Sequence, residues 1–299
     1  YLVFRLALSR MPGFSVSDDD IPLLKRVGEF FLHTFYPSDR QPLTVNFGDG
    51  HIRQSSSGAV KLLLANGYED PRLRWYLRQW KESWTAYDFF AYDRIWKGDV
   101  RPPESTSVLY DRIGWAIMRA GWGPNETLLA VKSGFTWNHA HADAGSFVLF
   151  HQSVPLLIDS GNCSYGRPEY VDYYLQSRAH NVVLFEGEGQ DPDDLYRGGM
   201  EPGQLYHLID HDGWRYVYAD AAGPMARYFS RNYRHFLWLE DAILIYDDVR
   251  AHRAGRIDWL LHFEGLAERQ ADGSIRIVHE GAGISVKPLF PTALDITHG

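Results

Sequence analysis

Residues 138–161, NHAHADAGSFVLFHQSVPLLIDSG, contain the richest apolar stretch of the chain, with polar residues on both sides of it. His151, Gln152 and Pro155 break the run, which therefore falls short of the roughly 18 apolar residues that a membrane helix needs. Its two apolar pieces, residues 146–151 and 156–159, are predicted strands. The sequence therefore predicts a sheet with histidine and aspartate side chains at the ends of its strands.

The segment before the first of these strands carries two imidazoles and a carboxylate within five residues. His139, His141 and Asp143 are spaced two apart, and residues two apart point to the same side of a strand. In a strand the three side chains would converge into a metal site or an acid–base cluster. The alternative is a polar loop beside a sheet, and the spacing alone leaves both open.

Two further polar residues lie at predicted strand ends. Asp159 closes the strand of residues 156–159, where a buried carboxylate is costly unless it is paired or bound to a cation. His180 stands at the start of an apolar strand predicted over residues 181–185. Two histidines and one carboxylate suit tetrahedral zinc with one open or water-filled position. Taken singly, each residue is also explained by a polar strand end whose hydrogen bonds are satisfied.

The spacing of apolar residues divides the chain into two parts. Helical spacing predicts helices over residues 22–36, 57–65 and 71–80, and a fourth over 86–96. Residues 99–106 are a predicted linker, and alternation follows it. About a dozen strands with no long helix between them favour an antiparallel sandwich. Besides the three above, the predicted strands are residues 107–110, 115–119, 127–132, 205–210, 215–219, 228–238, 242–248, 258–263, 274–279 and 283–288.

The composition is that of a globular protein. Of 299 residues, 45% are hydrophobic and 23% are charged, a balance that excludes a disordered chain. The 30 basic and 38 acidic residues give a net charge of −8, which argues against nucleic acid as a partner. Cys163 is the single cysteine, so no internal disulfide can form. The 15% of aromatic residues either fill a β-rich core or line a groove for sugar rings.

Three motifs, NHAHADAGSFVLF, PLLIDSGNCSYG and SRAHNVVLF, resemble in order and spacing the heparinase II/III-like family of polysaccharide lyases. The resemblance implies an α+β multidomain fold: the end of an α/α toroid in residues 1–103, then a large antiparallel β-sandwich in residues 104–299. The opening YLVFRLALSR is similar to a helix interior, and no segment matches the family's toroid Asn-His pair and tyrosine. The chain is therefore expected to be a fragment, inactive alone.

The resemblance also implies a metal site. His141, Asp159 and His180 match the ligands of a zinc ion that is structural in the family and lies close to the active site. Zinc there would hold the neighbouring His139 in register. Asp143 would orient a histidine from outside the ligand set.

Three residues match the family's active-site positions in this part of the fold. His139 would be the active-site histidine, with Asn138 beside it. Tyr165 would be the tyrosine that faces the substrate. This last match leaves alternatives, because three more tyrosines follow within a few residues: Tyr170, Tyr173 and Tyr174.

The implied reaction is β-elimination on a polysaccharide that contains uronic acid, of the glycosaminoglycan or alginate type. His139 and Asn138 would neutralise the uronate carboxylate while a base removes the C5 proton, or His139 would itself be the base. Arg167, Arg178 and Arg227 either contact the anionic polymer or form ordinary surface pairs. The resemblance further implies a bacterial periplasmic or secreted enzyme, without a membrane span, that binds an anionic polysaccharide. A homodimer is left open, because the sequence does not give the oligomeric state.

Two other classes of function remain open at this point. A metallo-β-lactamase-like hydrolase would explain the spacing of His139 and His141, but Ala144 stands where that motif needs a histidine. The helices-then-strands order also lacks the β/α alternation of such enzymes. A non-catalytic carbohydrate-binding module, or an inactive relative of the lyases, would use the sandwich and the aromatic residues equally well.

Overall fold

The helical part of the chain comes first. The computed structural model describes residues 1–17, 21–80, 84–135, 139–191, 201–291 and 294–297. Leu32, Leu63 and Leu73, each from a different helix, are buried together in one apolar core. No helix in these described ranges is long and apolar enough to span a membrane. The helices are α1 (Leu2–Leu8), α2 (Ile21–Thr34), α3 (Ser57–Ala65), α4 (Pro71–Gln79), α5 (Ala86–Phe90) and α6 (Tyr92–Trp96).

Two of the predicted helices differ from the structure. The helix predicted over residues 22–36 ends at Thr34, because Phe35 and Tyr36 form strand β1 (Phe35–Tyr36) and pair with β2 (Leu43–Thr44). The helix predicted over residues 86–96 is two helices, since the backbone leaves helical geometry at Ala91 (φ −129°, ψ 30°). The predictions for α3 and α4 are confirmed to within one residue.

The remainder of the described chain is built of antiparallel strands, as predicted. All the strands predicted from alternation are present, most of them within two residues of the expected ends. The strand expected at 258–263 is shorter, and Leu266–Arg269 was not predicted. The strands are β3 (Ser107–Tyr110), β4 (Trp115–Arg119), β5 (Leu128–Lys132), β6 (Ser146–His151), β7 (Val154–Leu157), β8 (Val183–Phe185), β9 (Gln204–His211), β10 (Trp214–Asp220), β11 (Phe229–Leu239), β12 (Ala242–Ala251), β13 (Ile257–Trp259), β14 (Leu266–Arg269), β15 (Ile275–His279) and β16 (Ala282–Val286).

The sheets stack in layers around a five-stranded sheet. That sheet runs β3-β4-β5-β6-β7, and a four-stranded sheet runs β12-β11-β10-β9. Phe147 and Leu129 pack on one face of the first sheet together with Phe236 of the second. Tyr36 of β1 and Phe47, which follows β2, pack on its other face. Both faces of the five-stranded sheet are thus covered, which is why β5, β6 and β7 are continuous apolar runs.

The polar motifs meet at one end of this buried sheet. Strand β6 begins at the same end of the sheet at which its antiparallel neighbour β7 finishes. The side-chain amide of Asn181 donates to the carbonyl oxygens of Phe147 (2.7 Å) and Ile158 (2.9 Å), and so fixes the approach to β8 against both strands. The three segments that carry His141, Asp159 and His180 therefore come together.

Candidate functional site

The three residues that match zinc ligands form one buried cluster. His141, Asp159 and His180 each offer a ligand atom, and these atoms lie within 4.8 Å of one another. His141 lies in the loop before β6, Asp159 follows β7, and His180 precedes β8. Nδ1 of His180 lies 2.8 Å from Oδ2 of Asp159. The sequence-based grouping of the three residues is therefore matched by their geometry.

The electrostatics of this cluster suit a cation. Burial lowers the pKa of His141, so that its neutral, metal-binding form is favoured. Burial would also raise the pKa of Asp159 and lower that of His180, but their mutual attraction outweighs it: the pKa of Asp159 is lowered and that of His180 is raised. Nδ1 of His141 is buried and has no hydrogen-bond partner among the described residues. These three side chains fit a zinc ion: two imidazoles, one of them with an unsatisfied ring nitrogen, and one carboxylate.

A carboxylate that the sequence analysis did not single out lies beside this cluster. Asp49 belongs to the loop after β2, far from the histidines in sequence. Its Oδ2 lies 2.8 Å from Nδ1 of His139 and accepts a hydrogen bond of 2.7 Å from the hydroxyl of Tyr165. Its Oδ1 accepts one of 3.0 Å from Tyr170 and lies 3.1 Å from Nε2 of His141. Asp49 thus joins the predicted metal and active-site residues.

Burial and these contacts act oppositely on the Asp49 carboxyl. Burial alone would raise its pKa, but the hydrogen bonds from Tyr165, His141 and His139 leave the pKa below its ordinary value. The same contact with Asp49 raises the pKa of Tyr165. The carboxylate is therefore ionised and the phenol neutral near neutral pH.

The structure separates the four candidate tyrosines. The Tyr165 hydroxyl lies 2.8 Å from Nδ1 of His139, and both side chains are more than half exposed. The hydroxyl of Tyr173 instead contacts Ser160, and Tyr174 contributes its carbonyl oxygen to His180. Tyr165 is thus the tyrosine adjacent to His139. The remaining candidate, Asn138, lies outside the described residues.

The structure favours the loop alternative for the histidine segment, and one expectation about this segment was wrong. Residues 139–145 are a loop, with His139 at φ 63°, so alternation along a strand does not bring the side chains together. Asp143 does not orient a histidine by a hydrogen bond: its carboxylate lies 2.6 Å from the ammonium of Lys132, and both groups are buried. Asp49 contacts both histidines in its place.

The arginines considered for an anionic polymer have partners of their own. Arg167 pairs with Glu169 at 2.7 Å. Arg178 donates to the carbonyl oxygen of Asp172, and Arg227 lies 5.6 Å from the ring centre of Tyr228. These are the ordinary structural contacts that the sequence analysis gave as the alternative.

Comparison with known proteins agrees with the motifs. The profile described as Heparinase II/III-like, C-terminal, matches residues 102–293. The chain belongs to this family. A heparin-sulfate lyase of Bacteroides thetaiotaomicron is 31% identical over 74 residues, which are 22% of this chain and 10% of that protein.

Solved structures share the fold at low sequence identity. A heparinase III with methylated lysines has a TM-score of 0.70 at 14% identity, over 88% of this chain and 38% of that one. Another crystal structure of heparinase III has 0.67 at 15%, over 92% and 45%. A heparan sulfate lyase mutant from Pedobacter heparinus has 0.61 at 16%, over 86% and 37%. The chain spans less than half the length of these relatives.

These findings confirm the resemblance and decide one alternative. Every sheet in the described residues is antiparallel, so the β/α alternation expected of a metallo-β-lactamase-like hydrolase is not found there. Membership of the family places the chain among proteins related to polysaccharide lyases.

Proposed function

We propose that this chain supplies part of the active site of a polysaccharide lyase, which cleaves a uronic-acid-containing polysaccharide by β-elimination. The observation that carries the proposal is the contact of His139 and Tyr165 with one carboxylate, Asp49, beside the buried cluster of possible zinc ligands. An exposed imidazole and an exposed phenol, 2.8 Å apart, form an acid–base pair open to a polymer.

The reaction needs a base at C5 and an acid at the C4 oxygen. With Nδ1–H of His139 donated to Asp49, Nε2 carries a lone pair and takes the C5 proton. The C5–H electrons form the C4–C5 double bond as the C4–O bond breaks. Tyr165, neutral in the folded protein, then turns its hydroxyl from Asp49 to the leaving oxygen and gives it the proton. Asn138, by its resemblance, would stabilise the charge that develops on the uronate carboxylate.

His141, Asp159 and His180 would hold a zinc ion next to this pair. Zinc bound there would cross-link the loop before β6, the end of β7 and the approach to β8. His139 lies two residues from His141 in the first of these loops. The ligands would thereby hold His139 against Asp49 and Tyr165 in a fixed arrangement.

The wider assignment rests on the family. We propose that residues 1–103 are the last helices of an α/α toroid and that residues 104–299 are the sandwich domain. The names of the relatives, heparin-sulfate lyase and heparan sulfate lyase, favour a glycosaminoglycan over alginate as the substrate. A periplasmic or secreted enzyme, with further catalytic groups supplied by other parts of the toroid, would agree with such a substrate.

Metal analysis of the purified chain tests the proposed zinc site. We expect about one zinc ion per chain, as for a four-coordinate site, and its loss in His141→Ala. The exposed His211 offers a matched control, and His211→Ala should keep the metal. Folded, freshly purified chain without zinc would contradict the assignment of the ligands.

Ultraviolet absorbance of the C4–C5 double bond tests the proposed lyase reaction in the complete gene product. Heparan sulfate, hyaluronan, chondroitin sulfate and alginate form the panel of polymers. His139→Ala and Tyr165→Phe should each abolish the signal, and His211→Ala should preserve it. Absence of an unsaturated product from every polymer, with the polymers nevertheless bound, would favour the non-catalytic carbohydrate-binding function instead.

A further inference from the structure

We propose that Asp49 is a positioning residue that fixes the tautomer of His139 and the direction of the Tyr165 hydroxyl; the catalytic consequence of this assignment rests on the proposed function. Each oxygen of its carboxylate serves two groups: Oδ2 faces His139 and Tyr165, and Oδ1 faces Tyr170 and His141. An ionised carboxylate only accepts hydrogen bonds. All hydrogens shared with it must therefore come from its neighbours.

The backbone holds Asp49 in this place. Its N–H donates to the carbonyl oxygen of His139 over 3.1 Å, and the carbonyl oxygen of Asp49 accepts a hydrogen bond from the side-chain amide of Asn162. Gly48 has a φ of +69°, and a Cβ there would lie 2.4 Å from the carbonyl oxygen of His139. Only a glycine allows the two loops to approach so closely. Phe47, one residue earlier, is anchored in the core.

This arrangement decides which nitrogen of His139 is free. The nitrogen that lies against the carboxylate carries the hydrogen, and the other ring nitrogen is left as an acceptor. Nδ1 is the one against Asp49, at 2.8 Å. Tyr165 also points its hydrogen at Asp49, so its oxygen cannot donate to Nδ1 although the two atoms are 2.8 Å apart. Asp49 thus keeps Nε2 of His139 unprotonated and exposed.

Removal of the carboxylate should reverse this state. In Asp49→Ala the Tyr165 hydroxyl loses its acceptor and donates to Nδ1 of His139, which moves the imidazole hydrogen to Nε2. The histidine then no longer offers a base to solvent. In the complete gene product we expect kcat to fall by up to about 10⁴-fold, the scale known for a catalytic histidine held in the wrong tautomer, with KM changed far less.

Long-range ¹H–¹⁵N spectra of the imidazoles test the assignment directly. They are recorded on the zinc-saturated chain at about pH 8, where an ordinary imidazole is neutral. His139→Gln assigns the signal. We expect the Nδ1–H tautomer in the wild-type protein and the Nε2–H tautomer in Asp49→Ala. Asp39→Ala removes an exposed carboxylate from the same segment and should leave the signal unchanged.

The outcomes separate this inference from the lyase assignment. An Nε2–H tautomer in the wild-type chain overturns the role of Asp49, and this measurement needs no variant to fold. The same tautomer in the wild-type protein and in folded Asp49→Ala overturns it too. If the complete gene product cleaves no polymer but the tautomer changes as expected, the lyase proposal fails and the positioning role of Asp49 stands.

Discussion

The five-stranded and the four-stranded sheets have the same antiparallel pairing but very different surroundings. Every residue of β5 and β7 is buried, with the β1–β2 segment on one face and the other sheets on the second. The four-stranded sheet buries Val217 and Phe236 on one face and exposes its other face, where Leu244 is 41% and Tyr246 60% exposed.

The site is attached to the buried sheet, and this placement explains its chemistry. The segments that carry His141 and Asp159 adjoin β6 and β7, where water is excluded and an unpaired charge is costly. The open sheet supports them from behind: the Arg234 guanidinium donates to the carbonyl oxygens of Gly145 (3.0 Å) and Asn181 (2.6 Å). The covered five-stranded sheet thus carries the segments with the charged groups. The four-stranded sheet binds the backbone of the adjoining loops through Arg234.

The largest contrast is expected from apolar truncations in the two sheets. Phe150 of β6 is fully buried, and Phe150→Ala should lower the free energy of unfolding by about 3–5 kcal/mol, since it leaves a cavity in a covered layer. Leu244→Ala, on the open face, should change it by no more than about 0.5 kcal/mol. Urea unfolding of both variants measures the difference. Equal losses would mean that the outer face of the four-stranded sheet is covered in solution.

An effect of similar size is expected from a charge removed at the end of β5 in the buried sheet. Lys132 and Asp143 are buried together, and Lys132→Met leaves the carboxylate without its partner. The expected cost is about 3–5 kcal/mol in the free energy of unfolding, again from urea curves. Lys287 pairs with Asp272 in an exposed position, and Lys287→Met should leave the curve in place. Adding Asp143→Asn to Lys132→Met should restore part of the loss; a further loss instead would mean that Asp143 has a second role.

The order of helices and strands was predictable because apolar spacing is a local property of the sequence. Alternation located strands β11 and β12 of the four-stranded sheet, and the continuous runs of β6 and β7 followed from burial on both faces. Strand β14, Leu266–Arg269, was missed because its side chains are mostly exposed and carry little apolar signal. The break at Ala91 was missed because both flanking helices continue the same apolar pattern.

The site was predictable only where its residues lie in recognisable motifs. His141, Asp159 and His180 were grouped through the family's order of residues, and the fold brings them together. Asp49 lies 90 positions from His139, in a turn-rich loop without a local pattern of its own. Its role depends on the packing of the β1–β2 segment against the five-stranded sheet, which no spacing in the sequence reports.

The last prediction concerns the face of the buried sheet that meets the helices. Burial, and then the nearby Arg119 guanidinium, lowers the pKa of His33 from 6.5 to about 3. Between these values the unfolded chain binds a proton at His33 that the folded chain does not. Stability should therefore fall as the pH falls from 6.5 towards 3, by at most about 1.4 kcal/mol per pH unit, and be unaffected above this window.

His33→Gln should flatten that part of the profile, measured by urea unfolding across the pH range. His235→Gln, on the open face of the four-stranded sheet, should flatten the profile less. Burial lowers the pKa of His235 too, but this side chain is less buried than that of His33, so its charged form is disfavoured less. A slope that is unchanged in His33→Gln would show that His33 takes up its proton in the folded protein, and that the helical face of the buried sheet admits water after all.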